Sequence, residues 1–83
     1  MVKYIIAKQL VGKKIITLDG YDIGRLIDVE ISEVTGKITS LIAEPDMESK
    51  VADKLKSDSG QIKIPYNAVF AVNNYVMVDR KNL

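Results

Sequence analysis

Short runs of apolar residues, broken at regular intervals by turn chemistry, dominate this chain, and that pattern predicts a mostly β domain. Leu10–Leu18 is rich in β-branched residues and reads as a strand. Asp19-Gly20 follows as a turn. In Ile23–Ile31, Ile27, Val29 and Ile31 alternate with Asp28, Glu30 and Ser32, which describes a strand with one wet face. Leu26 and Gly24 fall off that register, so a bulge is expected near Leu26–Asp28. A turn over Glu33–Lys37 leads into a third strand, Lys37–Glu44, apolar on both faces at its end and stopped by Pro45. Three further short strands are predicted at Gln61–Ile64, Ala68–Val72 and Tyr75–Asp79, the last two joined by Asn73-Asn74 with asparagine in the left-handed region. Arg80–Leu83 is expected to fray. Val2–Ala7 reads as a short extended entry segment, and its edge at Tyr4–Ala7 as a dimerisation or strand-addition surface.

Residues 46–56 depart from this rhythm. Met47, Val51 and Leu55 fall at i, i+4 and i+8 on a charged stretch, the stripe of a short helix capped by Asp46. Ser57–Gly60 is turn chemistry, so an ordered loop fits the same residues.

Length sets the scale of the fold. A chain of 83 residues has room for one domain, spanning 1–83, and buries only about 60–65% of its unfolded surface. It carries no cysteine, so no disulfide staples it, and no histidine. Zinc sites of the structural kind and iron–sulfur sites therefore have no ligands. With so small a core, self-association is the natural further support, and a homodimer is expected. No apolar run approaches the roughly 18–20 residues of a membrane span, and no signal-peptide core follows the N-terminal lysines. A cytoplasmic location without membrane insertion is the expectation.

Charge is nearly balanced, with 12 Lys+Arg against 11 Asp+Glu, unlike a dedicated nucleic-acid binder. Locally it is uneven. Lys3, Lys8, Lys13 and Lys14 meet no acid within the first 14 residues, while residues 44–58 hold five acids against three lysines.

Catalytic chemistry finds little to work with. The commonest general base and the thiol nucleophile are absent. Asp28 and Glu30 share a strand face, and Asp19 and Asp22 flank a turn, but a barrel of this size filled by its own side chains has no cleft for a sugar. Neither 19–22 nor 44–48 has the ligand order of a calcium loop, and no phosphate-binding glycine loop is present. The reading is non-enzymatic, with no metal and no cofactor. Of the aromatics, Phe70 is assigned to the core, and Tyr21 and Tyr75 to the surface. They are not interleaved with basic residues as an RNA-stacking sheet requires.

Leu10-Val-Gly-Lys13, Thr17-Leu-Asp-Gly20, Ile23-Gly-Arg-Leu-Ile-Asp-Val-Glu-Ile31, Thr35-Gly-Lys-Ile38, Ile64-Pro-Tyr66 and Tyr75-Val-Met-Val78 succeed one another in an order that resembles the PRC-barrel family. The resemblance covers roughly residues 8–79. It implies an all-β fold, a small six-stranded, partly open barrel read here as antiparallel, and an adaptor role without catalytic residues. Stand-alone members are typical of archaea and are associated with the cell-division machinery. Family positions match Gly12, Gly20, Gly24, Asp28, Gly36 and Pro65, most of them turn, bulge or strand-end positions; Asp28 is expected to bond amides of a neighbouring turn. The expected partner is a protein. The contact residues, chosen by polarity and turn location, are Lys13, Lys14, Tyr21, Arg25, Met47, Val51 and Leu55. The alternative is an RNA- or ribosome-associated factor, by analogy with the ribosome maturation factor that shares this domain.

Overall fold

A computed structural model describes residues 10–83. The predicted entry segment Val2–Ala7 and its edge at Tyr4–Ala7 lie outside the described residues. Six strands form one sheet: β1 (Lys14–Thr17), β2 (Asp22–Ile31), β3 (Ile38–Pro45), β4 (Ile62–Pro65), β5 (Val69–Val72) and β6 (Tyr75–Val78). A short helix, α1 (Lys50–Leu55), follows β3, and single 3-10 turns cover Tyr66–Ala68 and Arg80–Asn82.

The expected antiparallel barrel needs correcting on two points. The strand order is β4-β3-β2-β1-β6-β5, and β1 runs parallel to β6, with Lys14 opposite Tyr75 and Thr17 opposite Val78. The sheet is therefore mixed. Among the described residues it is also not closed, because β4 and β5 are its two ends and do not pair with each other. Hairpins account for the antiparallel pairs β1–β2, β2–β3 and β5–β6. The β1–β6 contact joins segments from opposite ends of the described chain, and local alternation carries no information about its direction.

The core lies on one face of the sheet. Ile15, Ile23, Leu26, Leu41, Ala43, Ile62, Ile64, Val76 and Val78 are buried there together with Leu10. Ala52 of α1 and Ala68 of the first 3-10 turn close over it, small enough to let backbone approach the sheet. The bulge in β2 sits where the off-register leucine predicts. Leu26 pairs with Ala43 and Asp28 with Ile42, so Ile27 is the extra residue and turns outward while Leu26 goes in. The Asp28 carboxylate accepts the Val29 amide at 2.8 Å, within the bulge and not in a neighbouring turn.

Gly24 is fixed by space as well as by conformation. Its φ is +155°, and a Cβ there would overlap the Glu44 carbonyl oxygen on β3. Gly20 makes the β1–β2 turn at φ +92°, its N–H bonding the Thr17 carbonyl. Gly12 and Gly36 also take positive φ in turns, and Pro65 ends β4.

Several local expectations change. The strand predicted over Leu10–Leu18 is only Lys14–Thr17, because residues 11–13 turn, with Lys13 N–H on the Leu10 carbonyl. The 46–56 segment is a turn followed by a helix that starts at Lys50. Ser49, not Asp46, is the cap: its hydroxyl accepts the Ala52 amide and donates to the Asp22 carbonyl of β2. Asp46 instead bonds the Glu48 amide at 2.9 Å in the preceding turn. No asparagine takes a positive φ; the β5–β6 turn is held by the Asn73 side chain, which accepts the Tyr75 amide at 3.0 Å. Arg80–Leu83 does not fray in the structure. Asp79 caps its turn by accepting the Lys81 amide, and Leu83 packs against the core. Phe70, expected inside, is 68% exposed.

Candidate interaction surface

The chain's turns decide which side chains meet. Thr17, buried at the end of β1, uses its hydroxyl to accept the Tyr21 amide at 2.9 Å, which fixes the exit from the Asp19-Gly20 turn. Tyr21 is thereby held at the surface, 51% exposed. Arg80, leaving β6 on the far side of β1, lies over the Tyr21 ring with its guanidinium carbon 5.2 Å from the centroid. The same guanidinium bonds the Asp19 carboxylate at 3.2 Å. Asp19 is held below its ordinary carboxylate value of 3.8. The Thr17 hydroxyl is the largest cause; desolvation opposes it, and the backbone amide of Asp19 and the Arg80 charge add to the lowering. At neutral pH this carboxylate is an ionised acceptor, unsuited to giving a proton.

Two shallow recesses flank this cluster, and α1 forms a wall of both. One, of about 430 Å³, runs from Gly20, Tyr21 and Asp22 to Asp46, Glu48, Ser49, Lys50 and Val51. The other, of about 210 Å³, has Val51, Leu55 and Leu83 as its apolar lining, with Lys54 and Arg80 beside them. The Ser49 hydroxyl, bonded to both α1 and β2, fixes the helix against the sheet and so sets the width of the first recess.

Of the expected contact residues, the structure brings Tyr21, Val51 and Leu55 together here. Lys14 and Arg25 line a separate recess with Gly24, Glu44, Pro45 and Asp46. In that region Lys14 pairs with Asp22 at 3.4 Å, Arg25 donates to the Gly12 carbonyl at 2.8 Å, and Lys13 donates to the Asn73 carbonyl at 2.7 Å. Arg25 and Lys13 thus bond carbonyls of turns, and Lys14 links β1 to β2. Met47 joins neither group; it stands 92% exposed in the turn before α1. Arg80 and Leu83 were not anticipated, since their importance comes from β6 lying parallel to β1, which places the residues after it beside the β1–β2 turn. Among the described residues no group of three or more carboxylates is gathered to hold a metal ion, and no helix is long and apolar enough to cross a membrane.

Fold and surface together define a small mixed-sheet β domain whose recesses are open and framed by turns. The chain belongs to the PRC-barrel domain family, whose model matches residues 3–82. It is also similar to an uncharacterized protein of Methanocaldococcus jannaschii, 32% identical over 77 residues, covering 93% of this chain and 83% of that protein.

Proposed function

We propose that the chain is a non-catalytic adaptor that binds a protein partner through the surface formed by Tyr21, Arg80 and α1. Its setting in this reading is an archaeal cytoplasmic assembly, the cell-division machinery, for which the family resemblance and the likeness to an archaeal protein are the support. The observation that carries this reading is the exposed Tyr21 ring beneath the Arg80 guanidinium, next to the half-buried Val51 and Leu55. Tyrosine and arginine dominate binding energy at protein interfaces, because each offers a large contact area with a polar end. Here both are held in place before any partner arrives, which lowers the ordering cost of association.

The test is affinity capture from an archaeal lysate with the wild-type chain and a Tyr21→Ala/Arg80→Ala double variant, at low and high salt. The wild type should retain a protein that the double variant loses, with little change between salts, as an apolar contact requires. Capture of RNA that falls steeply with salt would replace the adaptor reading with the RNA-associated one.

A further inference from the structure

Asp19-Gly20 is the one place in the chain where aspartate or asparagine precedes glycine. It lies in the exposed β1–β2 turn, with Gly20 at a φ of +92°. Such a pair is chemically weak, because the aspartyl side chain reaches the next backbone nitrogen and glycine has no side chain to shield it. In the ring closure the Gly20 nitrogen bonds the Asp19 Cγ. The Cγ–OH bond of the neutral carboxyl breaks, and the amide proton leaves with that hydroxyl as water. Water then adds back at one of the two carbonyls of the cyclic imide. Cleavage of the new N–Cγ bond restores aspartate. Cleavage between the nitrogen and the main-chain carbonyl of Asp19 leaves isoaspartate, with the backbone running through the side chain. The water lost is regained, and nothing is oxidised.

We infer that Asp19-Gly20 is a site of spontaneous backbone isomerisation and that the Arg80 guanidinium guards it. The fold restrains both reacting groups. The Gly20 N–H is held by the Thr17 carbonyl at 3.0 Å, a bond that must break before the nitrogen can turn on Cγ. The Asp19 Oδ2 is tied to Arg80 Nη1 at 3.2 Å, which anchors the carboxylate to the segment after β6. Ring closure also needs the carboxyl in its neutral form, and the Thr17 hydroxyl, with the Arg80 charge behind it, favours the ionised one. Isomerisation would add a methylene to the main chain inside this turn. The 2.9 Å bond from the Tyr21 amide to the Thr17 hydroxyl spans the same turn, so the Tyr21 ring would lose its fixed place beneath Arg80. If Tyr21 and Arg80 form the partner-binding surface proposed above, the aged chain loses that surface; this consequence rests on that reading, and the isomerisation does not.

Ageing of the full chain at neutral pH, below the melting temperature of each variant, tests this by peptide mapping. The isoaspartyl peptide elutes apart from its parent at the same mass, and an isoaspartyl methyltransferase methylates it alone. The wild type should accumulate isoaspartate at position 19 slowly and Arg80→Ala several times faster. Arg80→Lys, which keeps a cation, should fall between them. Lys81 lines the same recess as Asp19 without pairing with it, and Lys81→Ala should keep the wild-type rate. Asp58-Ser59, in the exposed turn after α1, is the internal reference. A variant that merely unfolds more often would age faster at both positions, whereas loss of the guard speeds position 19 alone. Equal rates at position 19 in the wild type and Arg80→Ala, or a rise in Arg80→Ala shared by Asp58, would overturn the assignment. Failure of the Tyr21 and Arg80 surface to capture a protein would leave this comparison of rates untouched.

Discussion

The β2–β3 and β5–β6 hairpins use the same device to opposite ends. Each contains a bulge with one extra apolar residue, Ile27 in β2 and Phe70 in β5. In β2 the bulge lets Leu26 turn into the core, and the extra residue is only 37% exposed. In β5 no strand among the described residues lies beyond, and the extra residue is 68% exposed. A bulge thus fixes where a side chain points, but its neighbours decide whether that position is buried. The long hairpin is held by its surroundings on both sides; the short one is held on one.

The largest expected effect breaks the first hairpin. Gly24→Ala sets a methyl group against the Glu44 carbonyl, a backbone atom that cannot yield without parting β2 from β3. The loss should reach about 3 kcal/mol or more, the combined scale of strain and overpacking, read as a collapse of the urea midpoint or failure to fold. The second prediction sets the two bulges side by side. Leu26→Ala should cost about 2–5 kcal/mol, as for a buried leucine, whereas Phe70→Ala should stay within about 0.5 kcal/mol, as for a surface site. Matched urea melts on dilute protein compare them, and equal losses would refute the contrast drawn here. The smallest effect concerns the tie between the β1–β2 turn and the segment after β6. Because the folded-state pKa of Asp19 is lowered, its contribution is present above the unfolded value and is lost as pH falls through the folded one. Melting temperatures of the wild type and Asp19→Asn should therefore differ slightly at neutral pH and converge in acid, below the ordinary aspartate value, as Asp19 takes up its proton.

Much of the sheet was legible from side-chain alternation. Leu26 stood off its register, and a bulge is the local remedy, so that feature was readable in sequence. Phe70 was misread for a related reason. An apolar residue in an apolar run looks internal, and nothing nearby says that β5 ends the sheet. The direction of β1 against β6 was equally invisible, since it joins distant segments, and with it went the open form of the sheet and the role of Arg80. The exposure of Tyr21 was legible, because a tyrosine in a glycine turn has no core to enter. Lys13, Lys14 and Arg25 were chosen by polarity and turn location, and in the fold their side chains bond the Asn73 carbonyl, Asp22 and the Gly12 carbonyl, contacts that local sequence does not reveal. Asp46 and Ser49 are both able caps, and the choice between them rests on the Asp22 carbonyl, which only the folded sheet brings within reach of Ser49.

The side-by-side alignment of β1 with β6 also governs how the molecule comes into being. Hairpins can close while the polypeptide is still being made, but β1 keeps one flank without its native neighbour until residues 75–78 have left the ribosome. Pairings of such long sequence separation form slowly and reward the chain only after the loop entropy is spent. Completion of the sheet therefore waits for that stretch, and a clipped chain lacking it would leave the β1 edge without its partner.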